Sequence, residues 1–193
     1  MKKTAKYLFK SRSYTPIPFV LIMLIFFNGN LTSWLVGGTF LIMGELIRLW
    51  GVTYAGSLTR TTTAVKAQYL VTSGPFAHVR NPLYVGNILV YLGFGIISMA
   101  LFPYLQISAL IWFVLQYILI INIEEEFLED KFGDEYRNYK DLVPKFLPNI
   151  RAAKINNEFP IVPNFKKGLK SEIRTIQAVS TVSIIALIIS LIK

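Results

Sequence analysis

Three long stretches of the chain, residues 13–44, 81–123 and 175–192, contain no Asp, Glu, Lys or Arg. About 20 consecutive apolar residues suffice for a helix to cross the hydrocarbon core of a bilayer. Inside that core a chain must satisfy its backbone hydrogen bonds internally. The expected fold is therefore an all-α, polytopic membrane helix bundle. Charged residues make up only 16% of the chain, against roughly 25% in soluble domains, which points the same way. Breaks at Asn28-Gly29-Asn30 and Phe102-Pro103 divide the runs into about five transmembrane helices, near 14–30, 33–51, 82–101, 104–123 and 173–192, in a single domain over 1–193.

The first span is the weakest, because its apolar run from Ile17 to Phe27 is short and has Pro16 and Pro18 at its entrance. A tight hairpin of spans one and two that does not fully cross is the alternative. A cleaved signal peptide is another reading of a lysine-bearing N-terminus ahead of an apolar run, but no small-x-small site follows Phe27.

A formal net charge of +9 raises the question of nucleic acid, yet the cations lie beside spans and form no stripe interleaved with aromatics. No nucleic-acid partner is expected. A cytoplasmic N-terminus puts Lys2 to Arg12, then Arg60, Lys66 and Arg80, then the stretch from Lys131 to Lys170 on the cytoplasmic side. The far side receives the uncharged turns at 28–32 and 102–103 and Lys193, so five spans with the C-terminus outside satisfy every loop. With no targeting segment in view, the plasma or inner membrane of a prokaryote is the expected location, and the endoplasmic reticulum the alternative. The chain has no cysteine and a single histidine, His78, which removes Cys/His metal sites and thiol catalysis from the list and leaves no expected metal.

Polar residues concentrate in 52–81 and 124–172, and the stretch from Lys154 to Lys170 reads as an irregular connector. Asn81 is placed to cap the third span through its side chain, with Pro82 at the first helical position. Tyr84, Asn87 and Tyr91 then share one helix face, while Gly86 and Gly93 allow a neighbouring helix to approach closely. Together they read as one wall of a pocket, the plainer alternative being an arginine snorkelling to headgroups beside an interfacial tyrosine. Glu124, Glu125 and Glu126 fall where the fourth span leaves the bilayer. Carboxylates oppose the dipole of a helix C-terminus, so that helix is expected to continue to about Lys131 and stop at Gly133. A short amphipathic helix with Tyr136, Arg137 and Tyr139 is then positioned to fold back over the acidic turn. Glu45 and Arg48 stand at i,i+3 near the end of the second span, where an ionisable group costs about 2.5–3.5 kcal/mol and faces the bundle or a polar cavity. A mutual ion pair and a substrate role for Arg48 are the two readings.

Two stretches read together resemble the isoprenylcysteine carboxyl methyltransferase and phospholipid methyltransferase group of integral membrane enzymes. "LVTSGPFAHVRNPLYVGN" (70–87) is similar to the family's Leu-Val-x-x-Gly-Pro-Tyr…Arg-His-Pro-x-Tyr-x-Gly, and "EEEFLEDKFGDEYRNYKDLVPKFLP" (124–148) to its Glu-Glu-x-x-Leu…Phe-Gly-x-x-Tyr-x-x-Tyr…Val-Pro…Pro. The resemblance is firm over 44–150 and leaves the first span, the start of the second and the fifth outside it. It implies a cytoplasmic pocket for S-adenosyl-L-methionine. Leu70, Val71, Gly74, Pro75 and Phe76 would border the adenine, and Arg80, Asn81, Tyr84 and Asn87 would face the cofactor or the reacting centre. Glu124 and Glu125, counted back from Leu128, would be the family's carboxylate pair. Arg80, Tyr84, Glu125 and Arg48 form the expected catalytic set.

Two departures matter. Asn81 stands where the family has histidine and cannot act as a base near neutral pH. No cation occurs from Leu119 to Ile123, where the eukaryotic carboxyl methyltransferases carry an arginine; Arg48 is the candidate replacement. The implied reaction is methyl transfer to a membrane-borne acceptor, lipid-like or prenylated, with carboxyl O-methylation of an isoprenylcysteine-like substrate foremost. A carboxylate acceptor needs a cation to position it, whereas an amine must lose a proton to a base. Phospholipid amine N-methylation, an NADPH-dependent membrane reductase and a non-catalytic membrane subunit are the rival readings.

Overall fold

The protein is seen here as a computed structural model describing residues 2–56, 69–155 and 162–192, with side chains from Tyr7 onward. Arg60, Lys66 and Lys193, and the side chains of Lys2, Lys3 and Lys6, on which the orientation argument partly rests, lie outside that description. Among the described residues the regular structure is helical: α1 (Lys2–Ser11), α2 (Ile17–Ile25), α3 (Leu31–Ala55), a 3-10 turn at Gly74–Ala77, α4 (Pro82–Ser98), α5 (Tyr104–Phe132), α6 (Asp134–Leu142) and α7 (Phe165–Ile192). Helices α3, α5 and α7 are long and apolar enough to cross a membrane, and α4 is a shorter apolar helix.

The first expected span differs from what forms. Helix α2 has 9 residues, about 14 Å at ~1.5 Å per residue, less than half of a ~30 Å hydrocarbon core. Pro16 and Pro18 bring no backbone N–H to its start, and the chain leaves helical geometry at Phe26. With its flanking turns the segment still runs the length of α4. Arg12 Nη1 donates to the Tyr84 hydroxyl at one end (3.1 Å), and the Asn28 N–H donates to the Ser98 carbonyl at the other (2.7 Å).

Helix α3 starts in a capping box: Asn30 Oδ1 accepts from the Ser33 N–H and Ser33 Oγ accepts from the Asn30 N–H, both at 2.9 Å. It packs against α4 through glycines. A Cβ on Gly44 would lie 2.7 Å from the Gly86 carbonyl oxygen, and one on Gly93 would lie 2.7 Å from that of Gly37. The two backbones therefore touch, as the small residues of α4 led us to expect.

Helix α5 continues past the acidic turn and ends at Gly133, which takes φ +53, a left-handed conformation that glycine adopts without strain. Helix α6 folds back and buries Tyr136 and Tyr139 against Leu70 and Val143, with Leu128 and Phe132 of α5 alongside. Helix α7 begins at Phe165 rather than near 173. Asn164 Oδ1 accepts from the Lys167 N–H at 2.9 Å, and Gly168 packs on the Thr53 backbone. Two polar turns thus extend the apolar run and carry Glu172 into the bundle. The C-terminal ends of α3 and α5, the start of α4, α6 and the start of α7 meet at one end. Apolar side chains such as Leu35, Ile42, Ile111, Leu115, Ile184 and Ile188 are exposed along the flanks, the surface a bilayer would cover.

Candidate functional site

A cavity of about 910 Å³ opens at that end and runs down between α2, α4 and α7. It lies near the upper limit of the ~300–1,000 Å³ typical of small-molecule sites. Its upper part is walled by Leu70, Val71, Phe76, Leu128, Tyr136 and Tyr139 and carries Arg80, Asn81, Tyr84, Glu124 and Glu125. Of the residues expected at the site, Gly74 and Pro75 do not line it. Pro75 is buried, and a Cβ on Gly74 (φ +62) would strike the Tyr54 ring at 2.4 Å. The glycine and proline shape the loop that presents Phe76.

The two glutamates have different surroundings. Arg80 Nε donates to Glu125 Oε1 (3.0 Å), and Arg80 Nη1 donates to the carbonyls of Lys140 (2.6 Å) and Val143 (2.9 Å). Lys145 pairs with the other oxygen of Glu125 at 3.1 Å. Arg80, the residue expected to hold a ligand carboxylate, thus spends two of its nitrogens fastening α4 to α5 and to the end of α6. Asn81 also departs from expectation. Its side chain makes no cap, and its Nδ2 donates instead to the Lys145 carbonyl at 3.2 Å. The segment from 143 to 145 passes close enough to claim both side chains.

Glu124 faces the cavity. The Tyr84 hydroxyl donates to Glu124 Oε1 at 2.8 Å, and Arg12 Nη1 lies 3.1 Å from the hydroxyl and 3.4 Å from the carboxylate. Tyr84 stacks on Tyr117 with ring centroids 4.5 Å apart, and Tyr117 accepts from Asn87 Nδ2 at 3.1 Å. Arg12 was invisible as a site residue in the sequence, where the basic N-terminal segment spoke only of orientation. Its guanidinium lies 4.3 Å over the ring of Phe9, which is buried against α5, a cation–π contact that steers it to the cavity.

Glu45 and Arg48 do not pair with each other as the i,i+3 reading allowed. Arg48 Nη2 donates to Glu172 Oε2 of α7 (2.7 Å) and to Thr175 Oγ1 (3.3 Å), and Nη1 bonds the Asn87 side chain. Glu172 was missed because it lies just outside the last uncharged run. In α6, burial pushes the Tyr139 and Tyr136 phenols well above the usual tyrosine range, so both stay neutral donors. The Tyr139 hydroxyl donates to the Phe76 carbonyl at 2.8 Å. Among the described residues no group of three His, Cys, Asp or Glu is arranged to hold a metal ion.

Several curated proteins are similar to this chain in sequence. The cobalt-zinc-cadmium resistance protein CzcN of Cupriavidus metallidurans is 29% identical over 81% of this chain and 72% of its own length. The protein-S-isoprenylcysteine O-methyltransferase of Schizosaccharomyces pombe is 34% identical over 58% of this chain, and the match spans only 48% of that enzyme. A second protein-S-isoprenylcysteine O-methyltransferase, from Arabidopsis thaliana, is 26% identical over 66% of both chains. No solved structure matches. The model of the phospholipid methyltransferase family matches residues 32–135, from the first turn of α3 to the start of α6, and so takes in Arg48, Arg80, Tyr84, Glu124 and Glu125. With more than half of its length in that match, the chain belongs to the phospholipid methyltransferase family of membrane methyltransferases.

Proposed function

We propose that this protein transfers a methyl group from S-adenosyl-L-methionine to an amphiphilic acceptor held in the membrane, with carboxyl O-methylation of an isoprenylcysteine-like substrate as the reaction. The observation that carries this reading is the continuity of one cavity, from a polar chamber at the bundle end to apolar walls between α2, α4 and α7. A water-soluble cofactor and a lipid-borne acceptor can meet only in such a space. The residues present suit the cofactor. Leu70, Val71, Phe76 and Leu128 offer apolar faces to a heterocycle, and the Glu124 carboxylate accepts hydrogen bonds from amino or hydroxyl groups.

When bound, the cofactor supplies a methyl group on a cationic sulfur, open to in-line displacement. The chain's part is to orient the two reactants and keep water out. Tyr84 and Arg12 hold Glu124 in one orientation, while the Arg80–Glu125 lock and the buried Tyr136 and Tyr139 close the chamber toward α6. No side chain needs to form a covalent intermediate. The basic N-terminal segment and the cations of α6 and its following segment support a cytoplasmic placement of the chamber end in a plasma or inner membrane.

The test is calorimetric titration of the detergent-purified protein with S-adenosylmethionine, S-adenosylhomocysteine and NADPH, alongside Glu124→Ala. Selective binding of the two methionine-derived compounds, weakened at least about tenfold in the variant, is expected. Binding of NADPH alone would replace methyl transfer with a reductase reading. Binding of none by folded protein would leave a non-catalytic membrane subunit.

A further inference from the structure

Helix α7 turns a charged stripe away from the bundle, and the chemistry in the cavity does not use it. Lys166, Lys170, Arg174, Gln177 and Thr181 recur at spacings of three or four residues, so they share one side of the helix, with Lys167 at its edge. All six are exposed, whereas Gly168, Ser171, Glu172 and Ala186 on the opposite side are buried. Farther along, the same stripe continues as Ile184 and Ile188, both exposed.

Counter-charge is missing from this face. Among the described residues no ion pair involves Lys166, Lys167, Lys170 or Arg174. Helix α7 holds one carboxylate, Glu172, which points the other way and pairs with Arg48 at 2.7 Å. Gln177 lies about 10 Å from Lys170 along the axis at ~1.5 Å per residue, within the apolar run. An exposed amide at that depth needs partners from outside the chain. The order along the stripe is that of a phospholipid: cations for a headgroup, an amide and a hydroxyl for the ester region, then aliphatic side chains for an acyl chain.

We propose that this face of α7 binds an anionic phospholipid. Its phosphate lies among Lys166, Lys170 and Arg174, its glycerol esters meet Gln177 and Thr181, and one acyl chain runs along Ile184 and Ile188. A basic cluster immediately beside a membrane-spanning helix attracts anionic lipid. A second copy docked α7 to α7 would set these cations against their own equivalents, because a two-fold contact brings the same patch from both partners. Arg174 also lines the cavity, so the bound lipid sits at the cavity rim, outside the space given to cofactor and acceptor. The assignment stands independently of the methyl-transfer reading.

The test uses the full-length chain, which has no cysteine, with a fluorophore on Ile173→Cys, an exposed position on the same side. The protein is reconstituted in phosphatidylcholine vesicles containing a small fraction of nitroxide-labelled phosphatidylglycerol or, in parallel, nitroxide-labelled phosphatidylcholine. Half-maximal quenching is expected at an at least about fivefold lower fraction of the anionic lipid. Lys166→Gln with Lys170→Gln should remove most of that preference. Lys166→Arg with Lys170→Arg should keep it, as should Arg151→Gln with Lys154→Gln, which removes the same charge off α7. Equal quenching by the two lipids in wild type, or a preference that survives the loss of Lys166 and Lys170, would overturn the assignment. So would an equal loss in the variant lacking Arg151 and Lys154, since attraction would then follow net charge. A label shielded from both lipids would place another protein on this face and overturn it too.

Discussion

Arg80 and Tyr84 stand four positions apart on the same side of the doorway, yet their side chains do different work. The side chain of Arg80 is 9% exposed and is bound to Glu125 and two carbonyls, whereas the Tyr84 hydroxyl donates to a carboxylate that faces the cavity and accepts from Arg12. Breaking a buried ion pair costs up to about 3–5 kcal/mol, and without Arg80 the Glu125 carboxylate keeps only Lys145, itself part-exposed. Arg80→Ala is therefore expected to lower folding stability by up to roughly that amount, read from denaturation in detergent. Tyr84→Phe should cost only about 1 kcal/mol and act instead on turnover. Equal loss of stability in the two variants would contradict this division. The motif marked both residues, but a linear pattern of Arg-Asn-Pro cannot reveal that the segment near Pro144 folds back to occupy Arg80.

Among the elements, the α3–α4 contact and the docking of α6 make separate predictions. Gly44→Val or Gly86→Val would drive a side chain into facing backbone 2.7–2.8 Å away, so both variants are expected to accumulate poorly and to elute as aggregate in gel filtration. Gly38, with nothing within 4 Å of its would-be Cβ, is the control: Gly38→Ala should stabilise α3 by about 0.5–1 kcal/mol. Helix α6 responds to pH. Burial raises the Tyr136 and Tyr139 phenols above the usual range, so from about pH 10 upward the unfolded chain gives up protons that the folded chain keeps. Folding stability is then lost as pH rises, by up to about 1.4 kcal/mol per pH unit for each such group. Tyr139→Phe should reduce that alkaline slope while costing about 1 kcal/mol at neutral pH, through the lost bond to the Phe76 carbonyl. An unchanged slope would mean that Tyr139 titrates normally.

For the whole molecule, the charge pattern predicts an orientation that a chain without cysteine makes easy to check. Ile150→Cys, at the chamber end, should react with a membrane-impermeant maleimide only when the cytoplasmic face is accessible, and Tyr104→Cys only from the opposite face; both positions are well exposed. Labelling of both from one side would refute the five-pass arrangement. The uncharged runs by themselves determined a membrane bundle with breaks at 28–30 and 102–103, because the cost of burying charge and unpaired backbone in hydrocarbon is set by residue type and order; the acidic turn and Gly133 marked the extension of α5. The two motifs marked the wall of Leu70, Val71, Phe76, Tyr84 and Glu124 as well. Only the tertiary structure decided that α2 is too short to cross as one helix, that Arg12 reaches Glu124, that Arg80 is a lock, and that Arg48 pairs with Glu172 rather than Glu45. Each of those outcomes turns on which side chain arrives from a distant segment. Pairing energy depends on separation in space, and the order of residues along the chain does not contain it.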